Sequence, residues 1–597
     1  MDRYSNGRIL VMGIGLLLAI ALIIAAITNW VAQNFMSSPP RLLTDPFLQY
    51  PTQDTVHVVW FTEFAGARHY VTYGERLRQK AIATTTKLSR TQEDQKSRVG
   101  DQIEDGQIYQ QPVMRDIWRH EANVINLAAD TRVPYRVTSV RDDGEPISSD
   151  RFTLAPSPSP ETPLKILLTS DHQSKDMTPA NLQKVVETVG QVDAVFQAGD
   201  LVNIPDRASE WFDDNEGKAF FPCLQGRANF QLGSDEQTTT YKGSAIIQYA
   251  PLFPAIGNHE VMGRVSMEKG LGEQYNDAIP QNVADQLYSQ NATQINPKND
   301  PKIRAAWIKD HSFNIDTYRE IFTLPQSPTG GSKYYAVSFG DIRLVVLYVT
   351  NIWRVPGLGP NDRGRYREKD EHLADPEQWG YGQHIFEAIA PGSPQYEWLV
   401  SELNSPEFQQ ATYKVVMFHH PAHSLGDNVV PAYTDPIQFI DRFPDDTIKA
   451  VRYEYPLDAD YLARDVLPLL EQSGVHLVFY GHDHIWNRFV SPSGTHYLES
   501  SNVGNTYGAF LTGKRRNIPI GYQETYVPNG DPNGLAPVMP TLDPLLDDAG
   551  QPMPYLASDD ITAFSILETE TGTVSSYRFD TRDPDSPVIK FDEFSLR

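Results

Sequence analysis

Hydrophobic positions along the chain follow three successive patterns. Residues 9–27 form an unbroken apolar run, ILVMGIGLLLAIALIIAAI. Its nineteen residues at about 1.5 Å each roughly span the hydrocarbon core of a bilayer. Arg3 and Arg8 precede the run and no basic residue follows until Arg41. Residues 1–37 are therefore expected to be a membrane anchor, with a cytoplasmic N-terminus and the remaining chain periplasmic or extracellular. A cleaved signal peptide is the rival reading, but no small-x-small cleavage site follows Thr28.

From 38 to 155 the pattern is strand-like. Residues 56–64 (VHVVWFTEF), 69–74 (HYVTYG) and 132–140 (RVPYRVTSV) are rich in β-branched and aromatic side chains, which predicts a small all-β sandwich. The Pro/Ser-rich stretch APSPSPETP, residues 155–163, is a natural boundary. Beyond it, short continuous apolar runs stop at polar residues: KILLTS at Asp171, DAVFQAG at Asp200, LFPAIG at Asn258, KVVMF at His419 and VHLVFY at Gly481. Such runs fit strands buried on both faces. Helical patterns lie between them at 180–189 and 396–403, and hairpins are expected over 334–350, turning at Gly340-Asp341, and over 564–579, turning around 570–572. Residues 156–597 thus read as a two-sheet α/β sandwich with long polar insertions.

Composition narrows the chemistry. The formal charge is −25, from 76 acidic and 51 basic residues, which disfavours a general nucleic-acid binder because phosphate backbones are held by basic patches. The single cysteine, Cys223, excludes an internal disulfide and any multi-thiolate zinc site. It reads as a small buried side chain.

The polar residues at the strand ends are Asp171-His172-Gln173, Gly199-Asp200, Gly257-Asn258-His259-Glu260, His419-His420-Pro421 and Gly481-His482-Asp483-His484. Hard and borderline divalent ions take that mixture of O and N donors, and there are enough donors for two ions. Taken singly, each island has a plainer explanation: Asp171 could cap a helix, and Gly199-Asp200 and Gly257-Asn258 are good turn sequences. All five in order at strand ends, where open α/β sheets place their ligand sites, are not explained that way.

These islands resemble the calcineurin-like metallophosphoesterase superfamily pattern D-x-H, G-D-x-x-D, G-N-H-[DE], H, G-H-x-H. Within it the chain is most similar to the purple acid phosphatase branch, which carries a fibronectin-III-like β domain ahead of the catalytic domain and ends its last motif with an arginine, here Arg488. Phe322, Pro325 and Tyr334-Tyr335 echo the branch's stretch before a hairpin. The resemblance implies that Asp171 and His484 hold one metal, that Asp200 bridges, and that Asn258, His419 and His482 hold the second. It implies that His259 is no ligand but serves the leaving group as a general acid, and that a hydroxide bridging the metals attacks phosphorus.

Two positions depart from the family pattern. Gln173 stands where the first motif has histidine, and would ligate through its amide oxygen. Asn203 stands where the branch carries an iron-binding tyrosine, so no purple charge-transfer band is expected. The tyrosine-corner position of the β domain reads Val133. Four arginines, Arg354, Arg363, Arg365 and Arg367, cluster in one insertion, either as a solvated basic face or to steer an anionic substrate. His423 could contact phosphate or be structural, and His57, His69 and His120 receive no role. Trp60 and Phe61 are accounted for by a packed core as well as by a binding module.

The function expected is a membrane-anchored phosphatase acting on phosphate monoesters with two divalent ions (Mn, Zn, Fe or Co). The alternatives are a phosphodiesterase acting on nucleotides or lipid headgroups, and a cell-surface binding protein on the same scaffold.

Overall fold

The computed structural model describes residues 41–597 apart from 104–105, 235–236, 355–365, 429–435, 514 and 517–528. The anchor expected within residues 1–37 therefore lies outside the described residues, as do Arg363 and Arg365. Among the described residues no helix is long and apolar enough to cross a membrane.

The N-terminal unit is all β. One sheet carries strands Phe47–Gln49, Val56–Thr62, Trp118–Val124 and Thr84–Lys87; the other is built around Val133–Val140 and Arg68–Tyr73. Strand Val56–Thr62 shows why its sequence is so continuously apolar. Val56, Val58 and Trp60 point into the sandwich with Val71, Tyr135 and Val137. Val59 and Phe61 point the other way, into the core of the following domain, where Phe61 meets Phe212 and Phe221 at centroid separations of 5.0 and 5.5 Å. Alternation of side chains along a strand means that burying both faces removes the polar phase. Trp60 is thus a sandwich-core residue and Phe61 an interface residue. The contact is fastened by polar bonds: Leu48 N–H donates to the Ile247 carbonyl at 3.0 Å, and the buried Tyr135 hydroxyl donates to the Gln248 carbonyl at 2.8 Å.

The larger unit is a mixed α/β sandwich. Its six-stranded sheet runs Leu252–Pro254, Ala194–Gln197, Lys165–Thr169, Ile561–Glu568, Thr573–Asp580, Ile589–Ser595. The seven-stranded sheet runs Tyr335–Phe339, Ile342–Val346, Tyr413–Met417, Leu477–Tyr480, His496–Ser500, Trp486–Val490, Tyr555–Leu556. The motif-bearing strands pair in parallel with their neighbours, Lys165–Thr169 with Ala194–Gln197 and Tyr413–Met417 with Leu477–Tyr480, so their C-terminal ends lie together. Val415, Met417, Leu477 and Phe479 fill the space between the sheets. Val416, Val478 and Tyr480, one residue out of phase, pack under helices Pro394–Leu403 and Leu467–Gln472. Helix Thr178–Val189 lies on the strand Ile561–Glu568 of the other sheet. Both expected hairpins form, with Gly340 and Gly572 supplying the positive φ their turns need, 57° and 70°.

Arg488 has neither of the roles the motif suggested. From the seven-stranded sheet it reaches Asp592 of the six-stranded sheet through two hydrogen bonds of 2.9 and 3.2 Å, and both groups are buried. It ties the sheets together rather than touching substrate.

Two buried imidazoles in the β domain, His69 and His120, stack at 3.6 Å. His120 is held by Thr62 and Thr85, and His69 by Ser139 and the Ala65 carbonyl. Burial, then the neighbouring His69 and Arg119, lower the pKa of His120 to about 3, and burial lowers that of His69 too. The unfolded chain protonates its histidines near pH 6.5, so between about 6.5 and about 3 it binds protons that this pair refuses, and stability falls as pH falls. Urea-unfolding midpoints measured from pH 7 to 4 should decline less steeply in His120→Gln than in the parent. Equal slopes would show that the pair is not a source of acid lability.

Candidate metal centre

The polar islands meet at one place, the shared C-terminal edge of the motif strands. Asp171, Gln173, Asp200, Asn258, His419, His482 and His484 are all buried. The ligand-type atoms of Asp171, Asp200 and His419 lie within 4.8 Å of one another, as do those of His419, His420 and His482. His419 Nε2 stands 3.0 Å from Asp200 Oδ2, and His484 Nε2 stands 3.5 Å from Asp171 Oδ1. Gln173 Nε2 donates to Asp200 Oδ2 at 2.8 Å. All seven expected ligand residues are thus brought together. His259 joins them at the rim: its side chain is 23 % exposed and its Nε2 is 4.0 Å from Asp200 Oδ2.

Convergence is obtained by bending the strand ends sharply. Asp171, Gln173, Ser174, Asp200, His482 and His484 all adopt positive φ, at 57°, 36°, 53°, 52°, 86° and 56°. For residues with side chains this costs on the order of 1 kcal/mol each. The glycines of the motifs answer a different need, close approach. A Cβ on Gly257 would collide with Asp200 Oδ1, and one on Gly481 with Asp171 Oδ2.

Backbone carbonyls set the state of each imidazole. His419 Nδ1 bonds the Ala198 carbonyl at 2.8 Å, His484 Nδ1 the Asn505 carbonyl at 2.8 Å, His482 Nε2 the Asn428 carbonyl at 3.0 Å, and His259 Nδ1 the Asn203 carbonyl at 2.7 Å. A carbonyl only accepts, so each of these nitrogens donates. In the neutral ring the other nitrogen then carries a lone pair. Among the described residues, Asp171 Oδ1, Gln173 Oε1 and both amide atoms of Asn258 are buried without a hydrogen-bond partner. Unpaired buried oxygens are costly, and here they sit beside imidazole lone pairs.

The electrostatics match. Burial alone would raise the pKa of Asp200, but His419 and His259 outweigh it and hold the carboxyl well below its usual range. Burial lowers His419, yet Asp200 and Asp171 raise it to about 9. Burial brings His259 down to about 4 against the pull of Asp200, and His482 to about 3, helped by His419.

Several supporting residues carry no signal in the sequence. Glu260 accepts the backbone N–H groups of Asp200, Leu201 and Gly257 at 2.9, 2.7 and 2.7 Å, and so fixes two islands to each other. Arg354 is not part of a solvated basic face. It is buried, lies 3.4 Å over the Tyr275 ring, and donates to the carbonyls of Asn258, Val261 and Tyr275. Tyr275 in turn stacks on His259 at 5.2 Å. His420 packs on His482 at 3.8 Å, whereas His172 turns away to Thr169. His423 is structural, bonded to Asp531 at 2.8 Å. The Asn203 side chain donates to the Gln173 carbonyl.

Comparison with solved structures finds similar arrangements at low identity. A purple acid phosphatase from yellow lupin seeds is 14 % identical, with a TM-score of 0.48, over 92 % of this chain and 74 % of that one. A Plasmodium protein described as the anchor in the inner membrane complex gives 9 % identity and a TM-score of 0.30 over 72 % and 89 %. A dimetal phosphatase from Danio rerio gives 12 % and 0.30 over 72 % and 100 %. No curated protein matches the sequence. The sequence profile described as calcineurin-like phosphoesterase matches residues 164–486, more than half of the chain and all five islands; the chain belongs to the calcineurin-like phosphoesterase family.

Proposed function

We propose that the protein is a dinuclear-metal phosphatase that hydrolyses phosphate monoesters. The observation that carries this reading is the donor set. Four imidazoles have one nitrogen committed to a backbone carbonyl, and beside them stand buried carboxylate and amide oxygens with no partner among the described residues. Asp171, Gln173 and His484 would hold one ion, Asn258, His419 and His482 the other, and Asp200 both. Divalent ions bound there supply Lewis acidity, acidifying water and neutralising phosphoryl charge.

The chain's own side chains complete the chemistry. His259, stacked on Tyr275 and fixed through Nδ1, presents Nε2 at the rim, where a leaving oxygen needs a proton. Because burial keeps this ring neutral above about pH 4, its donating form belongs to the acid side. Arg354 positions both Tyr275 and the Asn258 backbone. The run at residues 9–27 supports attachment to a membrane, with the catalytic unit periplasmic or extracellular.

Phosphate release from metal-reconstituted protein on a paired panel of monoesters and diesters tests the reading. Monoesters are expected to be preferred; a diester preference above about tenfold would overturn the choice, and no release from either would defeat the enzyme assignment.

His259→Ala should slow alkyl phosphates by about 10² or more and p-nitrophenyl phosphate, whose leaving group needs little protonation, far less. The parent's rate on alkyl phosphates should fall as pH rises above about 4, and the variant should lack this limb. Equal losses on both substrates would rule out proton donation by His259.

A further inference from the structure

Beside the metal centre opens a cavity of ≈ 480 Å³ lined by Gln173, Ser174, Lys175, Asn203 and Asn505, with Asp176 and Asp559 at its edge. It is continuous with the site, because its lining residues hold the candidate ligands. Gln173 bonds Asp200, the Asn505 carbonyl receives His484, and the Asn203 carbonyl receives His259.

Lys175 is the unusual member. Its backbone is pinned in a turn, N–H to the His172 carbonyl at 2.7 Å and carbonyl to Thr178 N–H at 3.2 Å. Its ammonium lies within electrostatic reach of Asp171, Asp200, Glu210 and Lys218, yet it makes no ion pair among the described residues. The carboxylates around it are engaged elsewhere. Asp176 pairs with Lys218, Glu210 with Arg207 at 2.7 Å, and Asp559 accepts Thr506 N–H at 2.9 Å. Gln173 Oε1 and Ser174 Oγ are also buried without partners, on a backbone at positive φ. A chain with formal charge −25 thus keeps one uncommitted cation in a polar cavity next to its reaction site. Divalent ions at Asp171 and Asp200 would offset the carboxylates that now attract that ammonium, leaving an anion as its natural partner.

We propose that this cavity is a substrate subsite in which Lys175, with the Ser174 hydroxyl, binds a second phosphoryl group of the substrate, so that the preferred substrates are phosphate esters carrying a second phosphate. The proposal rests on the phosphatase reading above. Ammonium and hydroxyl groups donate charge-assisted hydrogen bonds to phosphoryl oxygens, and the scissile group sits with Asp200 while the second fills the cavity.

The test compares 2,3-bisphosphoglycerate with glycerol 2-phosphate on the full chain. The parent should favour the bisphosphate in kcat/KM. Lys175→Gln should cut that preference by about tenfold, chiefly through KM, and Lys175→Arg should restore most of it. Calorimetry on metal-stripped protein should show the bisphosphate binding more weakly to Lys175→Gln than to the parent. Equal losses on both substrates, or none on either, with equal affinities would overturn the subsite while leaving the phosphatase reading standing. Failure of the parent to hydrolyse either compound would overturn both.

Discussion

Two carboxylates, Asp171 and Asp200, are withdrawn from water within a few ångströms of each other. Like charges at that separation in a poorly polarisable interior repel strongly. The chain's own counter-charge is a proton on His419, whose Nε2 stands 3.0 Å from Asp200 and whose pKa rises because of both carboxylates. A single proton leaves Asp171 Oδ1, Asn258 Oδ1 and Gln173 Oε1 without partners. Oxygen and nitrogen donors arranged in this way are complementary to cations, and the rest of the fold can be understood as what holds that unfavourable arrangement in place.

Holding it takes rigidity on several scales. Strained backbone at six islands' residues persists only where surrounding structure over-determines it. Glu260 supplies part of that constraint by gathering three N–H groups from two loops, and Arg354 adds more through four backbone carbonyls. The Arg488–Asp592 pair fixes the sheets that carry the loops. The β domain contributes as well, since its outward face is part of the same apolar core that lies beneath the site.

Much of this was legible in the sequence because its signals are local. The strand-end islands, the two hairpins and helices Thr178–Val189 and Pro394–Leu403 follow from apolar periodicity and turn residues. Both faces of Val56–Thr62 could be suspected buried from its unbroken apolar run, but which side chain faced which core could not. Arg354 was unreadable for a physical reason: its partners are carbonyls, which every residue carries. The same holds for the carbonyls of Ala198, Asn203, Asn428 and Asn505 that fix the imidazoles. Arg488 sat in a functional motif, yet its partner, Asp592, lies about a hundred residues away with no pattern of its own.

Anomalous diffraction from crystals equilibrated with Mn²⁺ tests the central claim most directly. The account predicts two peaks about 3.5–4 Å apart, with Asp200 between them, Asp171 and His484 on one, and Asn258, His419 and His482 on the other. A single peak, or none touching Asp200, would contradict it.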